Sequence, residues 1–389
     1  MLKKLLIFFL MFALTCFGNV FAYDDYEAYN LKAKVITASD EETVNDGYTD
    51  YLIQNVRVKI LDKRFKDEEF DIVYYLEDGI NTRLPLYEKC KVGDIVYVYG
   101  LYENGKLSVD ALAFYDKTPW IIAICIIYSL MIIIFGGKKG VKALLSLVIT
   151  IVLIFKALVP AILNGYNPIV VTILLSSIVI SLTFLIISGL SKKTLVAVSG
   201  TIAGVVAAGV IGFTFSNLMR LNGINEHARM ISTAFSTEKE MISFKNVMLA
   251  AIMISALGAC MDVGMSISSA LCELKEKKPE MSKKQLIKSG MNIGRDVMGT
   301  MTNTLILAYV GSAMLCILLY SINDFELSFV LNAEDISTEV LKSLAGSIGL
   351  ICTIPFTAIL GGLVMGNKET PTKKKEEVIE EIPVNYFKG

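Results

Sequence analysis

Histidine is almost absent from this 389-residue chain. His227 stands alone, which excludes a His-rich metal centre and a His-based catalytic triad. Charge is scarce as well: Asp, Glu, Lys and Arg make up 19% of the residues and cancel to a formal net charge of -1, so no basic surplus exists to hold a nucleic acid. Seven cysteines offer no disulfide framework. Cys16, Cys125, Cys260, Cys316 and Cys352 sit in apolar stretches and Cys272 borders one, leaving Cys90 by itself in the polar part of the chain. No Gly-x-Ser-x-Gly elbow, His-Glu-x-x-His or Walker loop occurs, so neither an enzyme nor a cofactor is expected. What abounds is apolar: 54% of residues, with a mean hydropathy of +0.57, which fits a polytopic membrane protein better than a soluble one.

Lys3 and Lys4 precede an apolar stretch from Leu5 to Phe17, and Val20 and Ala22 have the small-residue spacing of a cleavage site before Tyr23. Residues 1–22 therefore read as a signal peptide, or an uncleaved anchor, that exports the segment after it. From 23 to 117 the apolar pattern has period two, at Leu31–Ile36, Val56–Ile60, Phe70–Leu76, Ile95–Gly100 and Leu107–Leu112, which predicts half-buried strands. Asn104 and Gly105 suit the tight turn between the last two. A small exported five-stranded barrel of OB-like type is the expectation. Such barrels often take nucleic acid, but 20 acidic residues against 12 basic ones between Tyr23 and Lys117 would repel phosphate. Docking of an envelope protein partner suits this module better.

After Pro119, seven segments approach the roughly 20 apolar residues that a bilayer core requires: Trp120 to Phe135, Val141 to Leu163, Pro168 to Leu190, Thr194 to Phe215, Val247 to Leu271, Val297 to Tyr320 and Val340 to Met365. The chain divides on this reading into the exported domain, a seven-helix transmembrane domain over 118–365 and a cytoplasmic tail over 366–389. With the barrel outside, the inner connections hold twelve Lys and Arg, the outer ones only Arg220, Arg229, Lys239 and Lys245. The positive-inside rule thus agrees with the signal, and a bacterial plasma membrane is the expected location. Ile224, Ala228, Ile231 and Phe235 recur at helical spacing in an outer connection, as in a helix lying on the membrane surface. Gly200, Gly204, Ala208 and Gly212 form a small-residue stripe suited to close helix packing. Pro355 and the Gly361–Gly362 pair are expected to interrupt the last helix.

Ionisable side chains inside the spans carry the functional reading. Asp262 falls near the middle of the fifth segment, where a carboxylate costs about 2.5–3.5 kcal/mol on insertion scales, so it should face the bundle or a wet cavity. Ser255, Gly258, Ser266 and Ser269 share its helical face. In the sixth segment Asp296, Gly299, Thr300 and Asn303 share another, with Arg295 at the inner boundary and Asn303 at a depth comparable to Asp262. Carboxylate, amide and hydroxyl oxygens facing one another between two helices would coordinate a small cation or relay a proton; equally, they would lock the two helices together. Lys156 is a weaker candidate, because its long stem can carry the charge to the interface.

The stretches GACMDVGMSISSAL (258–271) and SGMNIGRDVMGTMTNTLILAYVG (289–311) resemble the two most recognisable segments of the YibE/F-like family of bacterial multi-pass membrane proteins. The resemblance implies a membrane protein, sometimes associated with transport, and assigns no catalytic residue. Asp262, Ser266, Asp296, Thr300 and Asn303 lie within those segments. The expected function is transport, or a channel, for a small cation or proton-coupled solute. The rival is an envelope sensor or assembly scaffold whose barrel docks a partner.

Overall fold

A computed structural model describes residues 28–45, 50–76, 88–103, 106–234, 242–323 and 325–367. The expected signal peptide and C-terminal tail, Asn104, Gly105 and Phe235 lie outside the described residues. Two compact units meet in sequence at Gly136, one being Phe21–Gly136 and the other dominated by Gly137–Gly389.

In the first unit, β1 (Ala28–Asn45), β2 (Asp50–Ile60), β3 (Glu69–Tyr75), β4 (Ile95–Glu103) and β5 (Lys106–Tyr115) build an antiparallel sheet in the order β3-β2-β1-β4-β5. All five strands fall where period-two patterning places them. The ends of the sheet, β3 and β5, approach without a hydrogen-bonded ladder, so the barrel is nearly closed. Its core is one side of each strand: Leu31, Ala33 and Val35 from β1, Val56, Val58 and Ile60 from β2, Val96 and Val98 from β4. The β4–β5 hairpin closes at the Glu103/Lys106 pair.

Two buried polar groups hold this barrel. Gln54, 3% exposed, donates from Nε2 to the Ser39 and Cys90 carbonyls at 2.9 and 3.0 Å, while its Oε1 accepts the Cys90 amide at 2.9 Å. It thereby satisfies backbone freed where the β1–β2 register shifts between Ala38 and Glu41. Asp116 follows β5 and leads into the first span; it is 3% exposed, with Oδ2 2.6 Å from Lys32 Nζ and Oδ1 accepting the Thr118 amide at 3.0 Å. Burial opposes ionisation of its carboxyl, but Lys32 and Thr118 outweigh that and hold the pKa below the ordinary 3.8. A carboxyl depressed in the fold adds stability above its unfolded pKa and forfeits it as the pH falls through the folded one. Asp116→Asn is therefore expected to lower the stability of this unit by about 1.5 kcal/mol at neutral pH. The gap from wild type should close in strong acid, as read from urea midpoints of the full-length protein by tyrosine fluorescence.

Beyond the barrel, α1 (Thr118–Leu153) breaks at Gly137, whose φ of 54° and ψ of −131° no helix admits. A π-turn (Ile154–Leu158) and α2 (Val159–Leu163) continue it. Then come α3 (Pro168–Ser188), α4 (Lys192–Leu218), α5 (Glu226–Ala234), α6 (Phe244–Lys277), α7 (Lys283–Ser312), α8 (Met314–Ile322), α9 (Leu327–Asn332) and α10 (Glu334–Met365). Among the described residues five helical segments are long and apolar enough to cross a membrane, or six if α7 and α8, bent by 56°, count as one span. The count of seven expected from the sequence requires in addition that 118–163 pass twice. Its 46 residues would measure about 69 Å if straight, more than double a bilayer core, and Gly137 breaks that length.

In the second unit α10 is central and α4, α6 and α7 pack on it. The small-residue stripe of α4 does what its spacing suggests: a Cβ on Gly204 would meet the Gly349 carbonyl at 2.8 Å and Thr353, and a Cβ on Gly200 would meet Thr357. Gly290 and Gly294 bring α7 equally close to Ala358 and Ile354 of α10. The expected interruption of the last helix does not occur, since α10 runs unbroken through Pro355. Gly361 and Gly362 instead make room for Leu271 of α6 and Ile287 of α7, so they serve packing. A helix does form in this connection, α5, with Ala228 buried and Met230 and Ile231 exposed.

Candidate functional site

Ser243 caps α6 by accepting from the Asn246 amide, and Ser282 with Gln285 forms a capping box on α7, so the hairpin α6–α7 has well-defined starts. Cys260, Gly264, Ile267 and Leu271 turn the apolar side of α6 into the core, with Cys260, Ile267 and Leu271 fully buried. Asp262 lies two residues from Cys260, about 200° around the helix. It is consequently on the outward side, exposed, together with Gly258 and Ser266; Ser255 and Ser269 are half-buried.

The same holds for α7. Gly290 and Gly294 are buried and Met298, Met301 and Leu305 pack against the core, whereas Asp296, Gly299, Thr300 and Asn303 are exposed on the opposite side. The inward-facing arrangement expected from the sequence is not what the structure presents. Each polar row lies on the outward side of its own helix, and no hydrogen bond or ion pair joins them among the described residues. The reason is competition for the core face: each helix also has an apolar stripe, holding Gly264 on α6 and Gly290 and Gly294 on α7, and close packing takes Gly264 onto α4 and the α7 glycines onto α10.

Among the described residues only Thr300 of the five candidates has a partner, its hydroxyl donating to the Val297 carbonyl at 3.0 Å. Asp262, Ser266, Asp296 and Asn303 make no hydrogen bond or ion pair among the described residues, and neither does Arg295 or Lys156. A Cβ on Gly258 or Gly299 would meet nothing within 4 Å. The relative depth of the rows follows from the contact of Gly290 with Leu271, where a Cβ would sit 3.2 Å from Leu271 Cδ1. By helix rise from that contact, Asp262 and Gly299 are both about 14 Å along, with Thr300 beside them. Ser266 and Asp296 come at about 8 and 9 Å, and Gly258 and Asn303 both at about 20 Å. Asn303 is thus level with Gly258, one turn beyond Asp262, rather than with Asp262 itself.

A feature the sequence reading passed over lies elsewhere in the bundle. Thr150, Thr172, Ser176 and Leu257 line a small cavity beside the π-turn, and the buried Thr172 hydroxyl there has no partner among the described residues. Pro160 was the available signal: it has no N–H for the Lys156 carbonyl, and the ladder shifts to π spacing just before it, with the Val159 amide bonded to the Ile154 carbonyl. Among the described residues no group of three or more His, Cys, Asp or Glu is placed to hold a metal ion.

A family model described as YibE/F-like protein matches residues 124–367, which include both polar rows and exclude the barrel. No curated protein and no solved structure matches the chain.

Proposed function

The chain belongs to the YibE/F-like family, and from that premise we propose that it is a multi-pass protein of a bacterial plasma membrane that passes a small cation, or a solute coupled to protons, along the polar face of α6 and α7. In this reading 118–163 crosses twice at the Gly137 break and the α7–α8 pair once, making seven spans, with the barrel outside and the C-terminus inside. The supporting observation is Asp262, an unpaired carboxylate within a spanning helix, flanked on its own face by Gly258 and Ser266. A side chain kept for packing alone would be paired or neutral, since an uncompensated charge in the membrane costs stability without return.

The test is flux in proteoliposomes, with a pH-sensitive dye for protons and isotopes for monovalent cations. Asp262→Asn preserves shape and hydrogen bonding and removes the charge, so it should reach the membrane at wild-type yield and lose at least about tenfold in flux, the equivalent of about 1.4 kcal/mol or more. An Asn variant with undiminished flux would end the proposal for this residue.

The rival reading, an envelope scaffold, draws on the barrel's exposed aromatic residues Tyr75, Tyr99, Phe114 and Tyr115. It requires a captured envelope partner whose binding is lost on Tyr99→Ser and Phe114→Ser, with no flux at all.

A further inference from the structure

We propose that a second copy of this chain covers the polar face of the α6–α7 hairpin, with α6 of each copy lying against α7 of the other about a two-fold axis along the membrane normal. This is a statement about assembly, and it stands whether or not anything is transported. The observation behind it is that the apolar span α6 leaves Asp262 exposed and unpaired on its outward side, at a depth where lipid offers neither water nor a donor, and that α7 leaves Asp296, Thr300 and Asn303 exposed on its own.

The two rows complement each other level by level. At about 8–9 Å along the hairpin, α6 offers the Ser266 hydroxyl and α7 the Asp296 carboxylate. About 5 Å further, α6 offers the Asp262 carboxylate and α7 the Thr300 hydroxyl, whose oxygen already engages the Val297 carbonyl and can share its proton. One turn beyond that, Asn303 of α7 meets the level of Gly258, where an open helix surface exposes backbone to its amide. Within one chain no hydrogen bond or ion pair joins these groups among the described residues, each lying on the outward side of its helix. A two-fold axis along the normal keeps every group at its own depth and pairs α6 with α7 twice, which is the self-complementarity that an isologous interface demands.

Close approach is available too. Gly258 and Gly299 have open space where a side chain would stand, so helices of another molecule can come near at those levels. The remaining intramembrane cation, Lys156, cannot serve Asp262. It lies near the Leu163 end of its span, while Asp262 lies nearer the Lys277 end of α6, and successive spans run in opposite directions.

The experiment uses the full chain in a cysteine-free background. One copy carries Gly258→Cys, a second with another tag carries Asn303→Cys, and the two are co-expressed and oxidised in native membranes. A product of twice the chain mass that retains both tags is expected, with none from the paired control Leu174→Cys and Leu195→Cys, which are exposed on α3 and α4. Wild-type protein in lipid nanodiscs should weigh two chains. Three results would each overturn the proposal: a single-chain mass in nanodiscs, a disulfide that forms only when both cysteines are in one chain, or a cross-linked product containing a foreign protein. A dimer that cross-links through the control pair and not through the hairpin would overturn it as well.

Discussion

Gly204→Val is expected to leave almost no folded protein in the membrane. A Cβ at this position would lie 2.8 Å from the Gly349 carbonyl, a backbone atom of α10 that cannot turn aside, and would also run into Thr353. Gly349 is itself the facing glycine, and a Cβ there would be 2.7 Å from Ala208 Cβ and 2.8 Å from the Gly204 carbonyl. The helices meet here backbone to backbone, so a branched side chain must push α4 off α10 and open the packing on both sides. Overpacking of a rigid contact costs about 3 kcal/mol or more. The measurement is alkylation of Cys260, fully buried on α6, during a thermal ramp of purified protein in detergent. Gly209→Ala is the matched control. The nearest atoms to its Cβ would all be in the Met253 side chain, the closest being Sδ at 3.0 Å, which can swing away, so a loss under about 1 kcal/mol is expected. Equal melting of the two variants would show that backbone approach at Gly204 does not hold the bundle.

Gln54→Ala should open the barrel. Three backbone groups, the part-buried Ser39 carbonyl and the buried amide and carbonyl of Cys90, lose their partner at once. Each unmet buried group costs about 1–3 kcal/mol, and at about 1.5 kcal/mol for each of the two at Cys90 the sum is about 3 kcal/mol, a large share of what a domain of this size has to lose. Cys90 reports the event directly. It is 8% exposed, and its burial, with Asp94 near it, pushes the thiol pKa up to about 11, so alkylation at neutral pH is slow in the fold. With the other cysteines replaced, Gln54→Ala should raise the labelling rate of Cys90 about a hundredfold, as the open population grows by about that factor. Gln54→Glu is a stricter comparison. It keeps an acceptor for the Cys90 amide but turns a buried carboxylate oxygen onto the Ser39 and Cys90 carbonyls, so at neutral pH its rate should at least match that of the alanine variant and should fall as acid protonates the carboxyl.

Much of this molecule follows from pattern. Strand alternation is a local property, and Leu31, Val56, Val96 and their neighbours turn inward because a half-buried strand has period two. Apolar spans and loop charge are equally local, as is the stripe of small residues on α4, whose packing partner alone was left open. Asp262 could be singled out by depth, since the cost of a carboxylate in a membrane depends on how far it lies from water. The direction in which it points could not. On α6 and α7 an apolar stripe and a polar row occupy opposite sides, and helical periodicity identifies both without ranking them. The ranking came from α10, whose Ile354, Ala358 and Gly362 receive Gly294, Gly290 and Ile287 of α7, and from α4, whose Thr201 receives Gly264 of α6, and these contacts draw the apolar sides inward. In the same way Pro355 suggested a break, and the packing of Gly361 and Gly362 against α6 and α7 keeps the helix whole. Local sequence established which residues can form each element and which are costly in a membrane. Contacts between residues distant in the chain decided which face of each helix was spent on packing, and the polar rows were left on the side that packing did not use.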